Sequence, residues 1–331
     1  MAVLNKFAKP TVLVTGATGA IGRAVCRDLV VNGYLVMGLV RQLEARTRLP
    51  YAVIPTLGDV RAPGKWEHAI QQADILIHLA LQPMPGSGPK ERPFAEREAR
   101  AIADVLDGVA TLCRRHKKLM IHTFGALLFE PDPDGWARET SELTSGRGFG
   151  IRHRIAYPVF QRHRKRGLRA MSVNPSFVYG RGGWFEEGVL KPMSRGESVM
   201  IGEGNQTMHY IEASDAASGY RLAIERGIPG EDYLLADDQP TTLGEFTALV
   251  AREMGAPPPV PIPEEELIPA LGAWAVEAYT TCPRVDSTKA RRDLGWSPRY
   301  RTIQEGVPVV VRAYKHSLAA PAASEPPIPV A

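Results

Sequence analysis

At 331 residues, with 44% hydrophobic and 23% charged side chains, the chain suits one large α/β unit or a domain with a smaller lobe, and its composition excludes disordered, collagen-like and membrane-embedded polymers. A net charge of +4 is too mild to argue for nucleic acid, and the basic clusters lack the interleaved aromatics that such binding needs. The three cysteines, Cys26, Cys113 and Cys282, include no C-x-x-C pair, so they read as packing residues rather than a disulfide framework or a metal site.

The first element is a β-branched strand, Thr11-Val12-Leu13-Val14, running into Thr15-Gly16-Ala17-Thr18-Gly19-Ala20-Ile21-Gly22. Ile21, Ala24, Val25 and Leu29 then share one face of a helix that would pack on a sheet. Further strands are expected over 34–40, 52–54 and 74–79, with a helix over 65–72 before the last of them. Helices over 96–116 and 151–166 flank a strand at 119–123, and a strand at 168–174 follows. Strands alternating with helices mean right-handed crossovers and a mostly parallel sheet, the α/β doubly wound Rossmann class.

Beyond Tyr179 the alternation loosens into a smaller C-terminal substrate lobe, with a helix over 243–254 and an extended, proline-rich connector over 257–263. The expected division is 1–178 for the nucleotide-binding domain, aided by segments near 205–220, then 179–318 for the lobe and 319–331 for a disordered Ala/Pro-rich tail. No run of about 20 apolar residues is present to span a bilayer. Residues 1–10 hold no apolar core of signal-peptide length, so a cytoplasmic location is the expectation.

The G-x-x-G-x-x-G segment sits between a strand and a helix, the context in which it carries meaning. Gly16 would make the tight turn, Gly19 would let phosphates approach the backbone, and Gly22 would let helix and sheet pack closely. Thr18, Ala20 and Ile21 complete the turn and first helical positions, whose N–H groups can face a pyrophosphate. At the end of the second strand an acidic residue would accept from the ribose 2′-OH of NAD. This chain has Val40-Arg41 there, with Arg23 nearby, and a basic residue favours the 2′-phosphate of NADP(H).

These residues carry a resemblance. The glycine segment, Gly58-Asp59-Val60 and His78-Leu79-Ala80 look like the glycine motif, adenine contact and nicotinamide-side strand of the extended short-chain dehydrogenase/reductases, the group of sugar-nucleotide epimerases and dehydratases. Asn174-Pro175-Ser176-Phe177-Val178-Tyr179-Gly180 resembles that family's strand-end segment, and His209-Tyr210-Ile211-Glu212-Ala213-Ser214-Asp215 its next one. Arg284-Val285-Asp286-Ser287-Thr288-Lys289 and Leu294-Gly295-Trp296-Ser297-Pro298 resemble its C-terminal signature. The resemblance implies cofactor contacts from Asp59, Val60, Leu79, Ala80, Asn174 and Pro175, together with Thr123 and His153, and a homodimer paired through the helices at 96–116 and 151–166.

It also implies a Ser or Thr after the fifth strand and a Tyr-x-x-x-Lys pair on the next helix, the tyrosine as acid or base and the lysine lowering its pKa. At the family's spacing back from Asn174 stand Phe149-Gly150-Ile151-Arg152-His153, with no phenol and with histidine for lysine. The serine position falls on Gly125, with Thr123 two residues earlier on the same strand face. Tyr157-Pro158-Val159-Phe160-Gln161 is no displaced copy, since it ends in Gln and lies too close to Asn174.

The cofactor half therefore reads as intact and the proton-transfer half as rewritten. His153, Thr123, Tyr157 and Tyr179 are the candidate catalytic groups; Gly125, Phe149, Arg152, Trp184 and His209 are the candidate substrate contacts. Arg152 and Arg154 flank the catalytic position, in a stretch between Glu142 and Glu186 without an acidic residue, and suit a carboxylate or phosphate on the substrate or the phosphates of NADP. The expected function is NADP(H)-dependent hydride transfer to a small, anionic molecule with a non-standard proton donor. The alternatives are a non-redox lyase, isomerase or cyclase that keeps the nucleotide as scaffold, and a catalytically silent NADP-binding regulator. No metal cluster or nucleophile–His–acid arrangement offers another mechanism.

Overall fold

The computed structural model describes residues 9–81, 92–271, 273, 276–277 and 283–319, so Cys282 and the tail from 320 onward lie outside the described residues. Seven strands form one parallel sheet: β1 (Thr11–Thr15), β2 (Leu35–Val40), β3 (Ile54–Leu57), β4 (Ile75–His78), β5 (Leu119–His122), β6 (Ala170–Pro175) and β7 (Asp232–Leu235). Their order is β7-β6-β5-β4-β1-β2-β3. The winding direction therefore reverses between β1 and β4, and doubly wound sheets bind ligands at the carboxyl ends beside such a reversal.

The principal helices are α1 (Ala20–Val31), α2 (Glu67–Gln72), α3 (Arg92–Arg115), α4 (Gly150–Lys165), α5 (Ala213–Arg226), α6 (Leu243–Met254), α7 (Glu264–Leu271), α8 (Thr288–Leu294) and α9 (Ile303–Ala319). Alternation along the strands sorts side chains into two cores. Leu13 and Met120 join Trp66, Leu106 and Phe160 on the α2, α3 and α4 side. Val12, Val14 and Val173 point the other way, toward Leu29, Tyr220 and Trp296 under α1, α5 and the segment after α8. A third cluster, including Tyr179, Phe185, Met208, Phe246 and Val307, makes the core of the C-terminal region. Among the described residues no helix is long and apolar enough to cross a membrane.

The helix expected over 243–254 has those bounds because both ends carry their own stop signals. Thr242 and Glu245 form a reciprocal capping box at its start, and Gly255 ends it in the left-handed conformation at φ 70°. Thr242→Ala is expected to cost about 1 kcal/mol, read as a lowered urea midpoint at unchanged slope. The third strand differs from expectation: it begins at Ile54, after a turn in which Ala52 takes φ 63° and Val53 donates to the Pro50 carbonyl. The edge position of β3 breaks the apolar pattern, burying Thr56 and exposing Leu57 at 60%. The segment expected as one helix over 65–72 starts with a 3-10 turn at Pro63–Trp66, and α3 begins at Arg92 rather than 96. The proline-rich connector is extended, and Val260–Ile262 within it pairs parallel to Val199–Ile201.

Candidate active site

The turn between β1 and α1 is built around absent side chains. Gly16 lies at φ 70°, and a Cβ there would sit 2.9 Å from the Ala80 nitrogen and the Leu79 carbonyl carbon. A Cβ on Gly22 would fall 2.0 Å from the Gly16 carbonyl oxygen, so the first turn of α1 lies against the loop that precedes it. Gly22→Ala is therefore expected to lose about 2–3 kcal/mol of stability by overpacking, measured by urea unfolding. Gly19 is the N-cap, its N–H donating to the Gly16 carbonyl and its own carbonyl accepting from Arg23, and no side chain caps the helix. With Thr18, Ala20 and Ile21 partly accessible, the first N–H groups of α1 are left to meet an anion. A dinucleotide pyrophosphate fits this cradle, which a single Cβ would fill.

Arg41 follows β2 and is exposed. Near it the carboxylate of Asp59 is held by the backbone N–H and guanidinium of Arg61; these bonds, with the charge of Arg41, hold it below the ordinary carboxylate range. Val60 is buried, and the Trp66 indole donates to the Asp59 carbonyl at 2.8 Å, fixing the end of β3. From the C-terminal region, Gly183 reaches over α1: a Cβ there would stand 3.0 Å from the Ala20 Cβ. Sequence reasoning missed this contact, since nothing local in Gly182-Gly183 tells which helix the loop meets.

At the carboxyl ends of β1 and β4, Thr15 Oγ1 and His78 Nδ1 share a 2.7 Å hydrogen bond. His78 stacks on His122, its partner in the parallel ladder, with ring centroids 5.2 Å apart. Burial pushes His78 down to about 4 and His122 well below the ordinary histidine value. Phe124 then stands edge-on between His122, at 4.4 Å, and His153, at 5.9 Å.

His153 is buried in the first turn of α4 and is pushed down to about 3, chiefly by burial and next by the charge of Arg152. It is a neutral imidazole at physiological pH. A Cβ on Gly125 would lie 3.6 Å from Nε2 and 3.8 Å from the Pro175 carbonyl oxygen. Gly125 (φ 100°), His153 and Pro175 thus meet. Asn174 secures the loop by accepting from the Phe124 N–H at 3.1 Å while donating to Ser172 Oγ at 2.8 Å. Phe149 is the N-cap of α4 and supplies no proton.

Other expected groups lie elsewhere. Thr123 shares a 2.5 Å hydrogen bond with the Tyr220 hydroxyl on the α5 side, opposite His122 and Phe124, because β5 ends at His122 and the chain turns before Gly125 can share its face. Tyr157 donates to Asp232 at 2.5 Å, at the amino end of β7, and accepts from Gln161. Burial pushes its phenol above the ordinary value. Tyr179 is packed in the C-terminal core with its hydroxyl against Gly306. Arg152 is committed to Glu98, 2.7 Å away and only 2% exposed, and its guanidinium lies over the Phe149 ring. That pairing corrects the expectation that Arg152 awaits an anionic substrate. Trp184 donates to the Val178 carbonyl at 2.7 Å and meets Phe177 edge-on. His209 is buried beside Trp136, and its Nδ1 accepts from the Val285 N–H at 2.8 Å.

The NAD dependent epimerase/dehydratase family matches residues 12–236. A 3-diazoavenalumate denitrifying reductase of a Streptomyces species is 24% identical over 314 residues, covering 89% of this chain and 98% of its own. A dTDP-glucose 4,6-dehydratase from Streptomyces venezuelae, solved with NAD, superposes with a TM-score of 0.78 at 18% identity, over 93% of this chain and 98% of that one. A human epimerase family protein, solved with NADPH, superposes with a TM-score of 0.73 at 17% identity, over 91% and 99%. With the parallel sheet, the glycine turn and a match over most of its length, the chain belongs to the NAD dependent epimerase/dehydratase family.

Proposed function

We propose that this protein is an NADP(H)-dependent oxidoreductase that reduces a small molecule at a site where a neutral histidine replaces the usual proton-donating pair. The observation that carries the reading is the coexistence of an intact glycine cradle with Phe149 and a desolvated His153 at the catalytic positions. The similarity to a reductase, and to folds solved with NAD and NADPH, supports it. Arg41 is the residue for the 2′-phosphate.

When bound, the nicotinamide supplies a hydride. The chain's own part is to stabilise the negative charge that then develops on the acceptor. Gly125 leaves room beside His153, whose Nε2–H can donate to that charge as a neutral imidazole, without protonating it outright. The proton arrives from solvent, so acceptors whose anion is delocalised, such as conjugated carbonyls, suit this site better than simple ketones. A cytoplasmic, biosynthetic role completes the reading, as does a homodimer through α3 and α4.

The test is stereospecifically deuterated NADPH offered with a panel of ketones, enones and iminium ions. Deuterium on carbon in a product supports the reading. Turnover without label in any product points to non-redox chemistry with the nucleotide as scaffold, and nucleotide binding without turnover points to a silent regulator.

A further inference from the structure

A separate recess of about 320 Å³ opens past the carboxyl end of β7. Trp136, His209 and Ser287 contribute to its lining, with Asp237 two residues beyond the strand. Asp237 is 3% exposed, and neither carboxylate oxygen has a hydrogen-bond partner among the described residues. Backbone N–H groups of Tyr210 and Gln239 lie near enough to lower its pKa somewhat, but burial outweighs them and pushes it up to about 8. Ser287 Oγ is likewise buried and unpartnered. Buried polar groups are paired in native proteins, because leaving one unpaired costs its desolvation, so two in one recess point to a ligand.

The surrounding charges specify what that ligand carries. Asp238 holds both Arg291 and Arg301, and Asp286 meets Arg138 at 3.3 Å, an arginine that also serves Asp132 and Asp134. From α5, Asp215 faces Asp237 with its own oxygens taken by the Arg299 and Tyr300 N–H groups, and the phenol of Tyr179 adds no positive charge. His209 is held down to about 4 and stays neutral; with Nδ1 accepting from Val285, its ring N–H is on Nε2. Of the three lining carboxyls, Asp238 holds Arg291 and Arg301 and Asp286 holds Arg138, which leaves Asp237 without a counter-charge.

We propose that this recess binds a small ligand through a protonated amine, whose N–H groups meet Asp237 and Ser287 and whose charge pairs with the Asp237 carboxylate. The inference does not depend on the hydride-transfer reading. Its test is titration of the full chain with n-propylammonium, with n-propanol as the neutral control, followed by ligand-observed NMR. Saturable binding of the ammonium alone is expected, weakened at least about tenfold by Asp237→Asn, the loss of a charge-assisted contact in a buried site. Because Asp237 must give up its proton while the ammonium keeps its own, affinity should rise about fivefold from pH 7 to pH 8. No saturable binding, equal binding of propanol, or full affinity in Asp237→Asn overturns the proposal. Should that variant fail to fold, the parent protein decides: an affinity that is level or falls from pH 7 to pH 8 overturns it equally.

Discussion

His153→Ala is expected to lower kcat by about 100- to 1000-fold, the usual cost of removing one donor to a developing negative charge. The measurement uses whichever acceptor takes deuterium from labelled NADPH. Because His153 is held at about 3, its neutral form persists through the working range, and the parent kcat should show no histidine step between about pH 5 and 8. An ordinary imidazole acting as an acid would instead lose activity as pH rose through about 6.5. An unchanged kcat with unchanged NADPH affinity in His153→Ala removes this residue from the site. Phe149→Tyr alone should not restore a family-like acid, since the position four residues on holds His153 rather than a lysine that would depress the new phenol's pKa.

Acidification from pH 6.5 to pH 5 is expected to destabilise the fold through its buried imidazoles. His78 and His209 are held down to about 4, His153 to about 3, and His122 lies well below its ordinary value. Each stays neutral in the fold and takes up a proton on unfolding once pH falls below about 6.5. The stability each contributes is thus present above that pH and lost toward the folded pKa, at about 1.4 kcal/mol per pH unit. Glu139 and Asp237, raised to about 7 and about 8, act with the opposite sign, because they hold protons in the fold that unfolding releases, and burial raises Asp28, Glu212 and Asp215 in the same direction. These carboxyls offset part of the slope. Urea unfolding at pH 7, 6 and 5 should therefore show falling stability, and His78→Asn should flatten that fall by about 1.4 kcal/mol per pH unit whatever it does to stability at pH 7. A slope equal to the parent's would mean that His78 titrates normally.

Local signals made much of this molecule legible. The glycine segment carries its geometry in its spacing, because a Cβ at Gly16 or Gly22 meets backbone atoms. α6 announces both its ends, and the apolar runs of β1, β4 and β5 are buried on both sides of a parallel sheet. What stayed hidden depends on contacts distant in sequence. Arg152 looked free beside the catalytic position because Glu98, its partner, stands on another helix. Counting in twos places Thr123 on the face of Gly125, and counting fails where the strand ends. The stacking of His78 on His122 follows from strand register, though a histidine closing the apolar run of β5 was a signal available beforehand. Asp237 gave none, since Asp237-Asp238 after a strand reads as an ordinary solvated turn.

If Arg41 meets the 2′-phosphate as proposed, the protein prefers the phosphorylated nucleotide, and calorimetric titration with NADPH, NADP, NADH and NAD, with Arg41→Asp alongside, measures that preference. Saturable binding of the phosphorylated pair is expected, with a loss in Arg41→Asp of about 1.5–3 kcal/mol, the weight of a charge-assisted bond. Binding of none of the four nucleotides, or NADPH affinity untouched by Arg41→Asp, would contradict it.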